Sequence, residues 1–149
     1  MILPALEKER IIMKDLSIYI HIPFCGSKCH YCDFVSFPKK FKNLEEYFHC
    51  LIIELSLYRK KLSDYKVKTI FFGGGTPSAI DAKYISKVLD YIYGNFNTYD
   101  EIEISIEINP GTIDLDKLNI YKESGINRIS IGLQTLNNDI LRILGRIHN

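Results

Sequence analysis

Tyr19 to Phe37 reads YIHIPFCGSKCHYCDFVSF, and three of the chain's four cysteines stand inside it, at Cys25, Cys29 and Cys32. Gaps of three and two residues let these thiolates turn toward one small inorganic centre without help from a second segment. A soft thiolate set of this kind selects zinc or an iron–sulfur cluster. Structural zinc closes on four ligands; no further cysteine follows nearby, but His21 or His30 would complete the count. A four-iron cube held by three cysteines keeps one iron free of protein and open to a substrate, as a catalytic metal does. Counting ligands leaves both chemistries standing.

The bulk properties narrow the field around that stretch. At 149 residues the chain is long enough for one domain with a core. A formal net charge of +1 argues against a nucleic acid or an anionic membrane as partner. No apolar run approaches the roughly 20 residues that a membrane span requires. Residues 1–12, MILPALEKERII, are broken by Glu7, Lys8, Glu9 and Arg10 and lack a secretory apolar region. Clustered cysteines without such a signal suit the reducing cytoplasm and metal binding better than disulfides. Residues 1–15 read as an N-terminal extension, with Met13 an alternative start, and residues 16–149 as the core domain.

Strands and helices alternate along that core. Leu16, Ile18, Ile20 and Ile22 share one face of a first strand, which runs into the cluster loop. Asn43 and Glu46 form a capping-box-like pair at the start of a helix predicted to reach about Leu62. Cys50 lies on the far side of that helix beside Ile53 and Leu57, read as a small apolar residue in a second stripe that faces some further element. Val67–Phe72 is a strand leading into Gly73-Gly74-Gly75-Thr76-Pro77. A helix capped by Asp81 follows, buries Ile85, Val88, Leu89 and Ile92, and ends at Gly94. Ile102–Ile108 is the third strand, Asp114–Lys122 a short helix closed by Gly125, and Arg128–Gln134 the fourth strand. A last helix starts near Asn137. Such alternation predicts an α/β fold of βα repeats with a parallel sheet.

Three of the strands carry polar residues on one side. They are Ser17, Tyr19 and His21 in the first, Glu101, Glu103, Ser105 and Glu107 in the third, and Arg128, Ser130, Gly132 and Gln134 in the fourth. Parallel strands covered on both faces are normally apolar throughout. A curved sheet with helices outside and a polar hollow inside accounts for the pattern. In parallel βα architectures the reactive site gathers at the carboxyl ends of the strands. The cluster loop, the GGGTP segment, Glu107 and Gln134 all fall there.

C-x3-C-x2-C with Tyr31 before the last cysteine resembles the signature of radical S-adenosylmethionine (radical SAM) proteins. The segments YIHIPFC, YCDF, FFGGGTPS, EINPGT, NRISIGLQT and LGRIH, spread from Leu16 to His148, resemble successive blocks of the oxygen-independent coproporphyrinogen III oxidase family and its heme-chaperone branch. The oxidases carry a further cysteine two positions after the third cluster cysteine. Phe34 stands there in this chain, so the resemblance favours the chaperone branch.

That resemblance implies part of a partial TIM barrel, with about four of its six βα units present and a C-terminal heme- or substrate-handling portion absent, so that the last helix is poorly held. It implies a [4Fe-4S] cluster on Cys25, Cys29 and Cys32. It places SAM contacts at Tyr19, Tyr31, Gly74, Gly75, Thr76, Glu107, Gln134 and Arg146. The implied chemistry is one-electron reduction of the SAM sulfonium, giving methionine and a 5′-deoxyadenosyl radical. Its partners are heme or a porphyrinogen, and an electron donor such as flavodoxin or ferredoxin. A zinc-stabilised interaction module is the competing expectation from another class.

Overall fold

The computed structural model describes residues 12–149, so most of the expected extension lies outside the described residues. In chain order come β1 (Lys14–Ile22), β2 (Phe24–Cys25), β3 (Phe37–Pro38) and α1 (Leu44–Tyr58). β4 (Tyr65–Gly74), α2 (Ala82–Asn95), β5 (Asn97–Ile108), α3 (Leu115–Glu123), β6 (Arg128–Ile131) and α4 (Asn138–Ile143) complete the series. The main sheet has the order β1-β4-β5-β6 with every pair parallel. Parallel neighbours need a crossover, and the helices between these strands supply it.

Period-two alternation divides each strand between a core face and an open face. Ile20, Ile22, Val67, Ile70, Phe72, Ile104 and Ile106 are buried under the helices. α2 contributes Ile85, Val88, Leu89 and Ile92, all fully buried as their helical spacing predicts. On the opposite face Thr69 Oγ1 donates to Ser17 Oγ at 2.9 Å, and Arg128 pairs with Glu103 at 3.2 Å. The polar face read from the strand pattern is therefore present. Towards β6 it lies open, all four residues of that strand being exposed.

Several boundaries differ from expectation. β1 begins at Lys14, so the last residues of the expected extension belong to the sheet. Asn43 makes no side-chain capping bond; it ends a 3-10 turn, Phe41–Asn43, whose helical backbone keeps its side chain from the first α-helical N–H groups. α1 stops at Tyr58 and the chain continues to Leu62 in turns. Gly94 does not end α2, which continues to Asn95, and Phe96 in an extended conformation terminates it. β6 ends at Ile131, so Gln134 lies beyond the strand and has a left-handed φ of 67°. Asp81, Asp114 and Asn137 cap α2, α3 and α4, each accepting backbone N–H groups with its side chain. The last helix is anchored rather than loose: Leu141 is buried, and Leu144 C=O accepts from His30 N–H at 3.0 Å.

Candidate metal and cofactor site

The loop that follows β1 is pinned before it reaches the cysteines. β2 and β3 pair in parallel, with Phe37 N–H donating to Pro23 C=O at 2.7 Å and Lys39 N–H to Cys25 C=O at 2.9 Å. Between these ties Lys28 Nζ donates to Phe34 C=O at 2.7 Å and to Ser36 Oγ at 3.0 Å. This clamps residues 28–36 into a compact turn. Cys25 is buried, and Cys29 and Cys32 are half-buried. Cys50 is exposed on α1, away from the loop, as a small side chain in a stripe with Ile53 and Leu57 that nothing covers among the described residues.

The three loop cysteines line one cavity of about 370 Å³, within the usual range for small-ligand sites. Around the same cavity stand Tyr31, Gly74, Gly75, Thr76, Glu107, Gln134 and Arg146. Of the expected site residues only Tyr19 lies off its wall. Tyr19 instead stacks on Phe71 at 6.0 Å, and its hydroxyl meets His21 Nδ1 at 3.0 Å. Burial, and then the charge of Glu107, push the Tyr19 phenol above its ordinary value. Burial does the same to Tyr31, against the opposing charge of Arg146.

The glycine run supplies close approach. A Cβ on Gly75 would lie 2.7 Å from Phe24 C=O and 2.9 Å from Cys25 Sγ, so only glycine lets these segments meet. Gly74 has φ +111°, and its N–H donates to Glu107 Oε2 at 3.2 Å. That bond holds the carboxylate at the cavity wall and leaves Oε1 for a ligand.

Arg146 arrives from the segment after α4. Its Nη2 donates to Asn109 Oδ1 at 2.7 Å and to Gly132 C=O at 2.6 Å, and its Nη1 to Cys29 Sγ at 3.5 Å. Arg146 Nε is buried with no partner among the described residues. A buried guanidinium donor without an acceptor is costly, and an anionic ligand group in the cavity would satisfy it. The residues present thus fit a small polar ligand with a negative end.

Of the two histidines that would complete a zinc site by count, His21 has both ring nitrogens engaged, whereas His30 is bonded through Nδ1 alone. His21 Nε2 lies 2.7 Å from Val35 C=O, which only accepts; in the neutral ring Nδ1 is then the acceptor for Tyr19. His30 Nδ1 lies 2.8 Å from Ile143 C=O, and its ring packs over Gly145. Among the described residues no three His, Cys, Asp or Glu side chains close on one metal-sized point.

Asn109, absent from the expected site, proves to be central: besides Arg146 it reaches Thr76 Oγ1 through Nδ2 at 3.1 Å. Its position in EINPGT, directly after a strand and before Pro110, was the available signal.

Comparison with known proteins accords with this geometry. The radical SAM superfamily model matches residues 19–149. The heme chaperone HemW of Haemophilus influenzae is 42% identical over 142 residues, covering 92% of this chain and 37% of its own length. HemW of Bacillus subtilis is 39% identical over 133 residues, covering 89% and 35%. Among solved structures, the radical SAM enzyme coproporphyrinogen III oxidase of Escherichia coli superposes with a TM-score of 0.85 at 29% identity. That match covers 95% of this chain and 33% of the oxidase, so the chain spans roughly a third of the length of such relatives. The open parallel sheet is accordingly a portion of a partial TIM barrel, the fold expected from the alternating strands.

Proposed function

This chain belongs to the radical SAM superfamily, and from that premise we propose that it binds a [4Fe-4S] cluster and SAM as part of a heme chaperone. The observation that carries the reading is the shared cavity. Three thiols, Gly74, Gly75, Glu107 and Arg146 surround one space at the carboxyl ends of parallel strands. Cys25, Cys29 and Cys32 would hold the cluster. Tyr19, Tyr31, Gly74, Gly75, Thr76, Glu107, Gln134 and Arg146 would contact or enclose SAM.

When bound, the pair supplies one-electron reductive cleavage of a carbon–sulfur bond. The chain's own part is orientation and exclusion of water. Glycine backbone would approach the ligand without a Cβ in the way, Glu107 would accept hydroxyl hydrogens from its ribose, and the Arg146 guanidinium would balance its carboxylate. Of the two phenols Tyr31 borders the cavity, while Tyr19 stands behind its wall on Phe71.

The chaperone reading, over a porphyrinogen oxidase, rests on the names of the similar proteins and on Phe34 in the position of the oxidases' additional cysteine. In this reading residues 16–149 are the N-terminal portion of a longer core, and heme is held by the whole protein. An oxygen-sensitive cluster and reduced thiols suit a reducing cytoplasm and a flavodoxin- or ferredoxin-like donor. No helix among the described residues is long and apolar enough to cross a membrane.

Anaerobic reconstitution with iron and sulfide tests the cluster, which colours the protein brown whereas zinc leaves it colourless. Dithionite and SAM should then yield 5′-deoxyadenosine, with Cys29→Ala inactive as control. Heme titration of the full-length protein separates carrier from oxidase: tight heme binding without turnover of coproporphyrinogen supports the chaperone, and turnover overturns it.

A further inference from the structure

Two of the three loop sulfurs are joined by a continuous arc of hydrogen bonds that runs through a residue with no assigned role. Cys25 Sγ lies 3.5 Å from Thr76 Oγ1, Thr76 Oγ1 lies 3.1 Å from Asn109 Nδ2, Asn109 Oδ1 lies 2.7 Å from Arg146 Nη2, and Arg146 Nη1 lies 3.5 Å from Cys29 Sγ.

The direction of every bond in this arc follows from one fixed end. A guanidinium has donors and no acceptor, so Asn109 must present its oxygen to Arg146. Its amide nitrogen then faces Thr76 and can only donate. Thr76 Oγ1 therefore accepts from Asn109, and its own hydrogen is left to point at Cys25 Sγ. Both ends of the arc are thus donors aimed at sulfur. The arrangement is built in: Thr76 is buried, and Asn109 N–H and C=O are held by Ser78 Oγ at 3.2 Å and Thr112 Oγ1 at 2.7 Å. A Cβ on Gly132 would stand 2.5 Å from Asn109 Oδ1, so the facing strand end is kept clear for this amide.

We infer that Asn109 is a positioning residue that directs Thr76 and Arg146 as donors onto two cluster thiolates, and thereby raises the reduction potential of the cluster. The inference rests on the cluster assignment proposed above. Reduction adds one electron to the cluster and breaks no bond. The added negative charge spreads onto the thiolates, so donors to sulfur stabilise the reduced state more than the oxidised one. Arg146 Nε takes no part in the arc.

The test is a redox titration of the reconstituted full chain with dithionite and mediators, followed by electron paramagnetic resonance, with iron content measured for each variant. Asn109→Leu should shift the midpoint to a more negative potential at full iron loading. Thr76→Val should do the same and Thr76→Ser should not, since serine keeps the hydroxyl. In the Asn109→Leu/Thr76→Val double variant the shift should be smaller than the sum of the single shifts, because Asn109 acts partly through Thr76. Unchanged potentials in Asn109→Leu and Thr76→Val overturn this inference alone. Should Asn109→Leu fail to load iron, the Thr76 pair decides: equal potentials for Val and Ser overturn it. A wild-type protein that takes up no iron–sulfur cluster overturns both this inference and the reading on which it rests.

Discussion

Gly75 and Cys25 are packed so closely that a Cβ on the glycine would lie 2.9 Å from the cysteine sulfur. The same Cβ would meet the backbone oxygens of Phe24 and Ile22 at 2.7 Å and 3.0 Å, atoms that cannot swing aside. Gly75→Ala must therefore push β2 away from the end of β4. Overpacking of this kind costs about 1–3 kcal/mol. Urea denaturation should show that loss, and iron uptake should fall with it, because Cys25 rides on the displaced segment.

Cluster loading should discriminate sharply among the cysteines. Alanine at Cys25, Cys29 or Cys32 is expected to abolish stable cluster incorporation, measured as iron and sulfide per chain. Cys50 is exposed on α1. Its alanine variant should load as wild type does and change stability by no more than about 0.5 kcal/mol.

Glu107 should matter for SAM and not for iron. Its carboxylate is held by Gly74 N–H at the cavity wall, and it touches no cysteine in the described contacts. Losing hydrogen bonds to a charged group costs about 1.5–3 kcal/mol. Glu107→Ala should therefore raise the SAM dissociation constant roughly 10- to 100-fold in calorimetry, at unchanged iron content.

Two tyrosines, Tyr47 half-buried and Tyr121 buried, give the alkaline limb of stability a defined shape. Burial pushes both Tyr47 and Tyr121 up from 10.0 to about 12. Above pH 10 the unfolded chain loses these protons while the folded chain keeps them. Their contribution is therefore complete below pH 10 and is lost as pH climbs toward 12. Tyr→Phe at either position should flatten that decline. At neutral pH the two should diverge. Tyr47 donates to His21 C=O, so Tyr47→Phe should cost about 1 kcal/mol. Tyr121 OH is buried without a partner among the described residues, so Tyr121→Phe should be neutral or stabilising.

The core faces should respond by burial alone. Phe72 is fully buried between β1 and β5, and Phe72→Ala should cost about 3–5 kcal/mol. Leu57, 68% exposed on α1, should change by less than about 0.5 kcal/mol on the same substitution.

The sequence by itself determined the strand–helix alternation, the buried stripe of α2, the polar face of the sheet and the triad of cysteines. Each of these is a local pattern: a period of two or 3.6, a cap, a short spacing between like ligands. What failed locally were ends. Asn43 closes a 3-10 turn instead of capping, its N–H donating to Lys40 C=O, and Gln134 turns left-handed past β6 between short-range backbone bonds. Only the tertiary structure could decide partners across the chain. Arg146 reaches Cys29 across 117 positions, and His30 Nδ1 meets Ile143 C=O across 113. Nothing in EINPGT says that Asn109 will stand between Thr76 and Arg146. Side-chain hydrogen bonds form where packing brings donors and acceptors within about 3 Å, and that proximity exists only once the sheet has curved and its strand ends have met.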